Sequence, residues 1–296
     1  MAVIIPQVVT EDRASGAQVI DGSLRFDGAS NQVLTRTPGS SGNRKTWTVS
    51  FWAKLSDIVG YQYFLSAGGS DVRWLGGSSF LLFQQDNGAS TIYIQDYSGS
   101  ANWAINPDDV FRDSTSFYHF LLKLDTPNDS VQLYVNNRLV TSGSTNDPST
   151  NYDGYWNHTV NHRISDGTYG LGAQLTQFYN IDGQALDPSY FGFTDPLTNT
   201  WRPKKYSGTF GTNGFYLPMD GNSPIGQDHS GNGNDFTPVR FGGSVGLDKA
   251  TGTLPILNTN GGGTVAHVGV RTDVHSANVV LALPLVGDAN DVSNVI

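Results

Sequence analysis

The densest chemical mixture in the chain is Tyr152-Asp153-Gly154-Tyr155-Trp156-Asn157-His158. Aromatic rings stack on the C–H faces of sugars while Asp and Asn hold hydroxyls, so rings beside Asp and Asn at a loop tip suit glycan contact. Trp103 and Asp166 join this set if the fold brings them to the same rim, giving Tyr152, Asp153, Tyr155, Trp156, Trp103 and Asp166 as candidate glycan-binding residues. The competing expectation is ordinary packing of a long loop. Asp96, Asp153 and Asp166 also offer oxygens of the kind Ca2+ takes six to eight at a time. No Asp-x-Asp-x-Asp-Gly loop is present, so no cofactor is expected, and calcium is the one ion the residues leave open.

Other stretches imitate catalytic motifs. Gly242-Gly243-Ser244-Val245-Gly246 has the spacing of a nucleophile elbow, but that motif needs a helix after the serine, and Leu247 to Pro255 has no helical period. Asp228-His229-Ser230 holds the three residue types of a hydrolytic triad on neighbouring positions, where side chains cannot converge into a relay. A turn is the expectation there. His158 and His162 are four apart, a metal spacing only on a helix. Asn157 to Arg163 reads as strand, where four residues span about 13 Å, so hydrogen-bonded or surface histidines are expected. His119 sits in a strand pattern and reads as structural.

The elements that must position these residues are strands. The 296 residues include 17 Lys plus Arg, 26 Asp plus Glu and no Cys, which excludes disulfides and thiolate chemistry. A net charge of −9, with no basic cluster larger than Arg202-Pro203-Lys204-Lys205, disfavours nucleic acid. Glu11 is the sole glutamate and the remaining 25 acids are aspartates, a skew toward turns and away from helix. There is no run of about 18 apolar residues to insert in a membrane, and the apolar start Met1 to Ile5 lacks the basic leader of a signal peptide.

Period-2 alternation runs through the first two thirds. From Thr46 to Lys54, Trp47, Val49, Phe51 and Ala53 share one face and Thr46, Thr48, Ser50 and Lys54 the other, with Trp52 as the exception. Phe80–Gln84 and Thr91–Gln95 flank Asp86-Asn87-Gly88 as a hairpin, and Asn136-Asn137 closes a second one after Val131, Leu133 and Val135. The best helix signal is Leu186 to Phe191, with Asp187 as N-cap and Pro188 at the first helical position. The expected fold is all-β, an antiparallel two-sheet jelly-roll sandwich. Its domain reading is an extended arm over 1–22, the sandwich over 23–240, and a Gly/Thr-rich linker over 241–296. In that linker Leu283 to Asn294 echoes Leu217 to Asn232, as if a second β module begins and the chain continues.

Several pieces, in order, resemble the laminin-G-like branch of the concanavalin A-like lectin and glucanase superfamily. They are Ser23 to Gly28, Trp47 to Lys54, Phe117 to Phe120, Val131 to Val140, Gly172 to Tyr179, Ile181 to Leu186 and Asp228 to Asn234. Tyr179 to Phe236, with Trp201-Arg202-Pro203-Lys204-Lys205-Tyr206, and the opening Pro6 to Gly16 look similar to laminin-G-like virion proteins of marine tailed bacteriophages. That resemblance implies a fibre, knob or decoration at the virion surface, on head or tail. Family members that hydrolyse glucans use Glu-x-Asp-x-x-Glu on one strand, which a chain with Glu11 alone lacks. Where many laminin-G modules carry an acidic pair, this chain has Leu175-Thr176-Gln177.

The expected role is therefore a non-enzymatic virion structural protein displaying a lectin-like domain, with host-surface polysaccharide as a possible ligand and a homo-oligomeric state. Val3, Ile4, Ile5, Val8 and Val9 in the arm are expected to anchor it to other virion proteins. The alternative is a carbohydrate-active depolymerase or a secreted carbohydrate-binding module.

Overall fold

A computed structural model describes residues 18, 20, 22–29, 31–56, 60–68, 78–86 and 89–241, with backbone alone for 78–86, 89 and 90. The proposed anchor residues Val3, Ile4, Ile5, Val8 and Val9, the elbow-like Gly242 to Gly246 and the C-terminal echo all lie outside the described residues.

The strands, in chain order, are β1 (Leu24–Asp27), β2 (Val33–Arg36), β3 (Thr46–Leu55), β4 (Tyr61–Gly68), β5 (Ser78–Asp86), β6 (Ala89–Tyr97), β7 (Ala101–Asn106), β8 (Tyr118–Asp125) and β9 (Ser130–Val135). They continue as β10 (Arg138–Leu139), β11 (Ser144–Asn146), β12 (His162–Ile164), β13 (Gly172–Asp182), β14 (Gly192–Thr194), β15 (Trp201–Pro203), β16 (Phe215–Leu217) and β17 (Thr237–Val239). One sheet runs β1-β13-β3-β8-β9-β10, with β16 also on β13, and the other runs β11-β7-β6-β5-β4-β12-β2-β17. All pairings are antiparallel, and the two sheets form the expected sandwich.

Alternation places the apolar side of each strand between the sheets. Val49, Phe51 and Ala53 of β3 meet Phe120, Leu122 and Leu124 of β8 in one continuous core with Phe64, Ile92, Ile94 and Ile105 of the facing sheet. Phe51 stacks on Phe178 at 4.9 Å between centroids and contacts Phe64 and Phe120. The two hairpins hold their expected register. Asp86 pairs with Ala89, leaving two residues between them, and Val135 pairs with Arg138 across Asn136 and Asn137, whose φ angles of 47° and 67° are those of a type I′ turn.

Two local expectations are corrected. The Leu186 to Phe191 helix is a single 3-10 turn, Pro188–Tyr190, and Asp187 makes no capping bond. Its carboxylate instead accepts from Lys123 Nζ at 2.6 Å, across to β8. Likewise Asn157 to Arg163 is strand only from His162 onward, because Asn157 takes a left-handed φ of 62° that breaks an extended run.

The outer face of the first sheet is also covered, which a half-buried alternation does not anticipate. Residues after β13 fold back over it, and a second apolar cluster of Leu121, Tyr179, Ile181, Phe191, Tyr206 and Tyr216 fills the gap. Thr48 ties the two layers together, donating to Gln184 O and accepting from Leu186 N, both at 2.8 Å. The β14–β15 hairpin forms part of this cap and carries Trp201.

Candidate functional site

The aromatic loop from Tyr152 to His158 turns inward. Trp156 is 1% exposed, its indole N–H donates to Asn180 Oδ1 at 2.9 Å, and its ring packs on Trp47 and edge-on to His162. Trp103, also 1% exposed, lies in the same core against Trp47. These two rings have no free face for stacking, so their expected role as glycan contacts is corrected to core packing.

The polar members of the expected set are similarly engaged. Asp96 is fully buried and accepts from the Tyr152 hydroxyl at 2.6 Å, Asn102 Nδ2 at 2.9 Å and the Tyr155 backbone N–H at 3.0 Å. Burial, then the bond to Asp96, pushes the Tyr152 phenol well above its ordinary pKa. Asp166 is buried and accepts the backbone N–H groups of Thr168 and Tyr169, an Asx turn. Asp153 is exposed and Tyr155 half-buried, and Arg44 grips the loop through the carbonyls of Asp153 and Gly154. Of the six expected residues Asp153 is exposed and Tyr152 and Tyr155 are half-buried, the hydroxyl of Tyr152 being spent on Asp96.

The calcium expectation at Asp96, Asp153 and Asp166 does not fit. The Asp96 carboxylate accepts N–H and O–H donors at both oxygens and Asp166 Oδ1 accepts two backbone N–H groups, where a cation would need free lone pairs. Among the described residues no three His, Cys, Asp or Glu side chains gather as a metal site.

His162 and His158 are hydrogen-bonded within the fold. His162 Nδ1 donates to Val160 O, and its Nε2 accepts from Asn157 N at 3.0 Å, so burial holds it neutral with a pKa of about 4. His158 Nδ1 shares a 2.8 Å bond with Ser41 Oγ. The triad-like Asp228-His229-Ser230 is a turn, since the Asp228 carboxylate accepts from the N–H groups of Tyr216, Ser230 and Asn234 and from Ser230 Oγ. Asp182 is a hub that accepts from Asn43 N, Asn213 N and Asn157 Nδ2, with desolvation raising its pKa.

A site the sequence expectation did not include lies on the opposite side of the first sheet, under the cap. A row of residues crosses the outer face, because Thr176 pairs with Trp52 and Trp52 with His119. Leu24 opposite Leu175 puts Ser23 beside Thr176 at one end. At the other end Asn136 N donates to His119 O, and Asn136 Oδ1 accepts His119 N. Over this row Trp201 descends from β15. Its indole N–H donates to His119 Nδ1 at 3.0 Å, leaving Nε2–H to donate to Ser50 Oγ at 2.8 Å. His119 lies between two indoles, 5.0 Å from Trp52 and 5.9 Å from Trp201, and complete burial holds it neutral, its pKa pushed down to about 3.

Trp52, Trp201 and Phe117 form the shared wall of two adjoining depressions. One, of about 560 Å³, is flanked by the amides of Asn136, Asn137 and Asn199 and the hydroxyl of Thr200. The other, of about 380 Å³, is flanked by Ile20, Thr176 and Pro203. Phe117 and Trp201 are half-exposed over the largely buried Trp52, and rings beside amides and hydroxyls give the chemistry expected of the loop, at a different address. The signal was present in the sequence as Trp52, the apolar residue that breaks the alternation of β3.

No family model matches this chain, and no curated protein matches it. Among solved structures it is similar to a Bacteroides ovatus protein provisionally described as carbohydrate-binding, with a TM-score of 0.52 and 12% identity over 75% of this chain. The chain spans 58% of the length of that structure. It is also similar to a heptameric SAP-like pentraxin from Limulus polyphemus, with a TM-score of 0.43 and 14% identity, covering 57% of this chain and 79% of the other. A third likeness is to the enzymatically active domain of bacteriophage CBA120 tailspike protein 2, with a TM-score of 0.41 and 12% identity, covering 61% of this chain and 29% of the other. The first of these likenesses extends to the β-sandwich fold alone.

Proposed function

We propose that this chain is a non-catalytic, carbohydrate-binding β-sandwich displayed at a virion surface, and that the outer groove under the cap is its binding site. The observation that carries the binding part is the Trp52–Phe117–Trp201 wall, flanked by amides and hydroxyls on the outer face of a sheet. Sugars bind such surfaces because apolar ring faces and hydroxyls are both matched. The non-catalytic part is supported by the groove lining, which among the described residues holds no carboxyl group, whereas glycoside hydrolysis needs two across the scissile bond. Display on a particle, in a homo-oligomer, is supported by the sequence resemblance and by the apolar arm.

The binding claim is tested by screening the full chain and a Trp201→Ala variant on an array of neutral, uronate-containing and sialylated glycans. The wild type should retain at least one glycan that the variant loses, with no release of reducing ends from it. Binding to nothing on the array, or cleavage of what is bound, overturns the proposal. Deleting residues 1–22 should leave a folded sandwich that no longer incorporates into particles, and normal incorporation would place the anchor elsewhere.

A further inference from the structure

We propose that the groove takes an internal stretch of an uncharged polysaccharide, lying across both depressions, in preference to the single terminal sugar of a glycan. This rests on the carbohydrate-binding reading of the same groove. The first reason is length. The two depressions together reach from Ser23 at one end to Asn136 at the other. Beneath them, with Thr176, Trp52 and His119 buried, the row crosses five strands, four strand-to-strand steps or about 19 Å at ~4.8 Å each. That is several times the width of one pyranose ring.

The second reason is where the rings stand. Trp52, Phe117 and Trp201 are shared by both depressions, so a sugar seated on them has space on either side for its own neighbours in the chain. Trp201 also offers a ring face with no donor, since its N–H is already given to His119.

The third reason is charge. Among the described lining residues Arg202 alone is charged, and although its side chain is 40% exposed, its Nε lies 3.6 Å from the buried carboxylate of Asp195, which offsets the charge, and is bonded to Thr200 Oγ1 at 3.2 Å. The two depressions divide the remaining work. Amides at Asn136, Asn137 and Asn199 address hydroxyls at one end, and Ile20 and Pro203 cover C–H surface at the other.

The test is a length series measured by calorimetry on the full chain, with ladders of one to six units of β-glucan, α-glucan and xylan, and of oligogalacturonate as the charged comparison. For at least one neutral ladder, affinity should rise at least tenfold from monosaccharide to tetrasaccharide. Asn137→Gly, which keeps the left-handed backbone, and Ile20→Ser should each cost the tetrasaccharide at least threefold and the monosaccharide less than twofold. Equal affinity at every length overturns the proposal, as does failure to bind any neutral ladder. So does tightest binding of oligogalacturonate with a tenfold loss in Arg202→Gln. Any of these with a positive array leaves the carbohydrate reading standing, whereas a blank array removes both. Unchanged melting temperatures show that the variants still fold.

Discussion

Two regions of this molecule have nearly the same composition and opposite fates. The Tyr152 to His158 loop and the Trp52–Phe117–Trp201 groove both combine aromatic rings with Asn and hydroxyl groups. In the loop Trp156 points between the sheets, where it joins Trp47 and Trp103 in the core and spends its indole N–H on Asn180. In the groove the rings stand on the outer face, both indoles packed on His119, and Phe117 and Trp201 leave part of their surface to solvent. The lesson is that an aromatic-polar mixture marks a place of high contact energy without saying whether the contact is made inside the protein or with a ligand. Strand register decides that, since a one-residue step moves a side chain to the other face.

The largest test of this contrast is Trp156→Ala. Truncating a fully buried Trp costs about 3–5 kcal/mol, and here it also strips Asn180 Oδ1 of its indole donor. Chemical denaturation should show a loss of that size, while the folded fraction keeps its glycan affinity. An unchanged unfolding midpoint together with lost binding would reverse the assignment of the two regions.

A smaller effect follows from acid, because each region holds one buried, neutral imidazole. His162 packs under the loop and His119 under the groove, with pKa values near 4 and 3 against an ordinary 6.5. Below pH 6.5 the unfolded chain takes up protons that the folded chain refuses, so stability is full above that pH and falls as pH drops toward 4. The slope is up to about 1.4 kcal/mol per pH unit for each histidine. His162→Gln should remove one proton's share of that slope between pH 6 and 4.5 without touching glycan affinity at pH 7. A slope unchanged by this substitution would mean that His162 is protonated in the folded protein.

Much of the sandwich is legible because alternation and turn chemistry are local. Asn136-Asn137 specifies its hairpin through backbone geometry that Asn tolerates, and β3 shows its core face in Trp47, Val49, Phe51 and Ala53. The cap is not legible in the same way. Its β14–β15 hairpin pairs three residues with three, too few to show a period, and what holds it is long-range, in Trp201 on His119 and Thr48 on Gln184 and Leu186. Asp187 shows the same limit, since the residue type that caps helices was taken by Lys123 from another strand. Trp52 is the residue through which the site could have been found, because a Trp among Thr, Ser and Lys on an outer face implies a cover or a ligand.

The smallest predicted effect separates the two regions most directly. Asp153, Tyr155 and Tyr152 all reach solvent, but the hydroxyl of Tyr152 is held by Asp96, so a loop contribution to glycan binding is read most directly at Asp153 and Tyr155. Their backbones, however, are what the fold uses, the carbonyl of Asp153 accepting from Arg44 and the N–H of Tyr155 donating to Asp96. Side-chain truncation leaves both of these bonds in place. Asp153→Ala and Tyr155→Ala should therefore shift stability by no more than about 0.5 kcal/mol for the exposed Asp and about 1 kcal/mol for the half-buried ring. With the groove as the site, each should alter glycan affinity less than twofold, where Trp201→Ala abolishes it. A tenfold loss of affinity at Tyr155→Ala with unchanged stability would return the site to the loop, and would mean that the buried Trp156 below it serves as a foundation for a contact made by its neighbour.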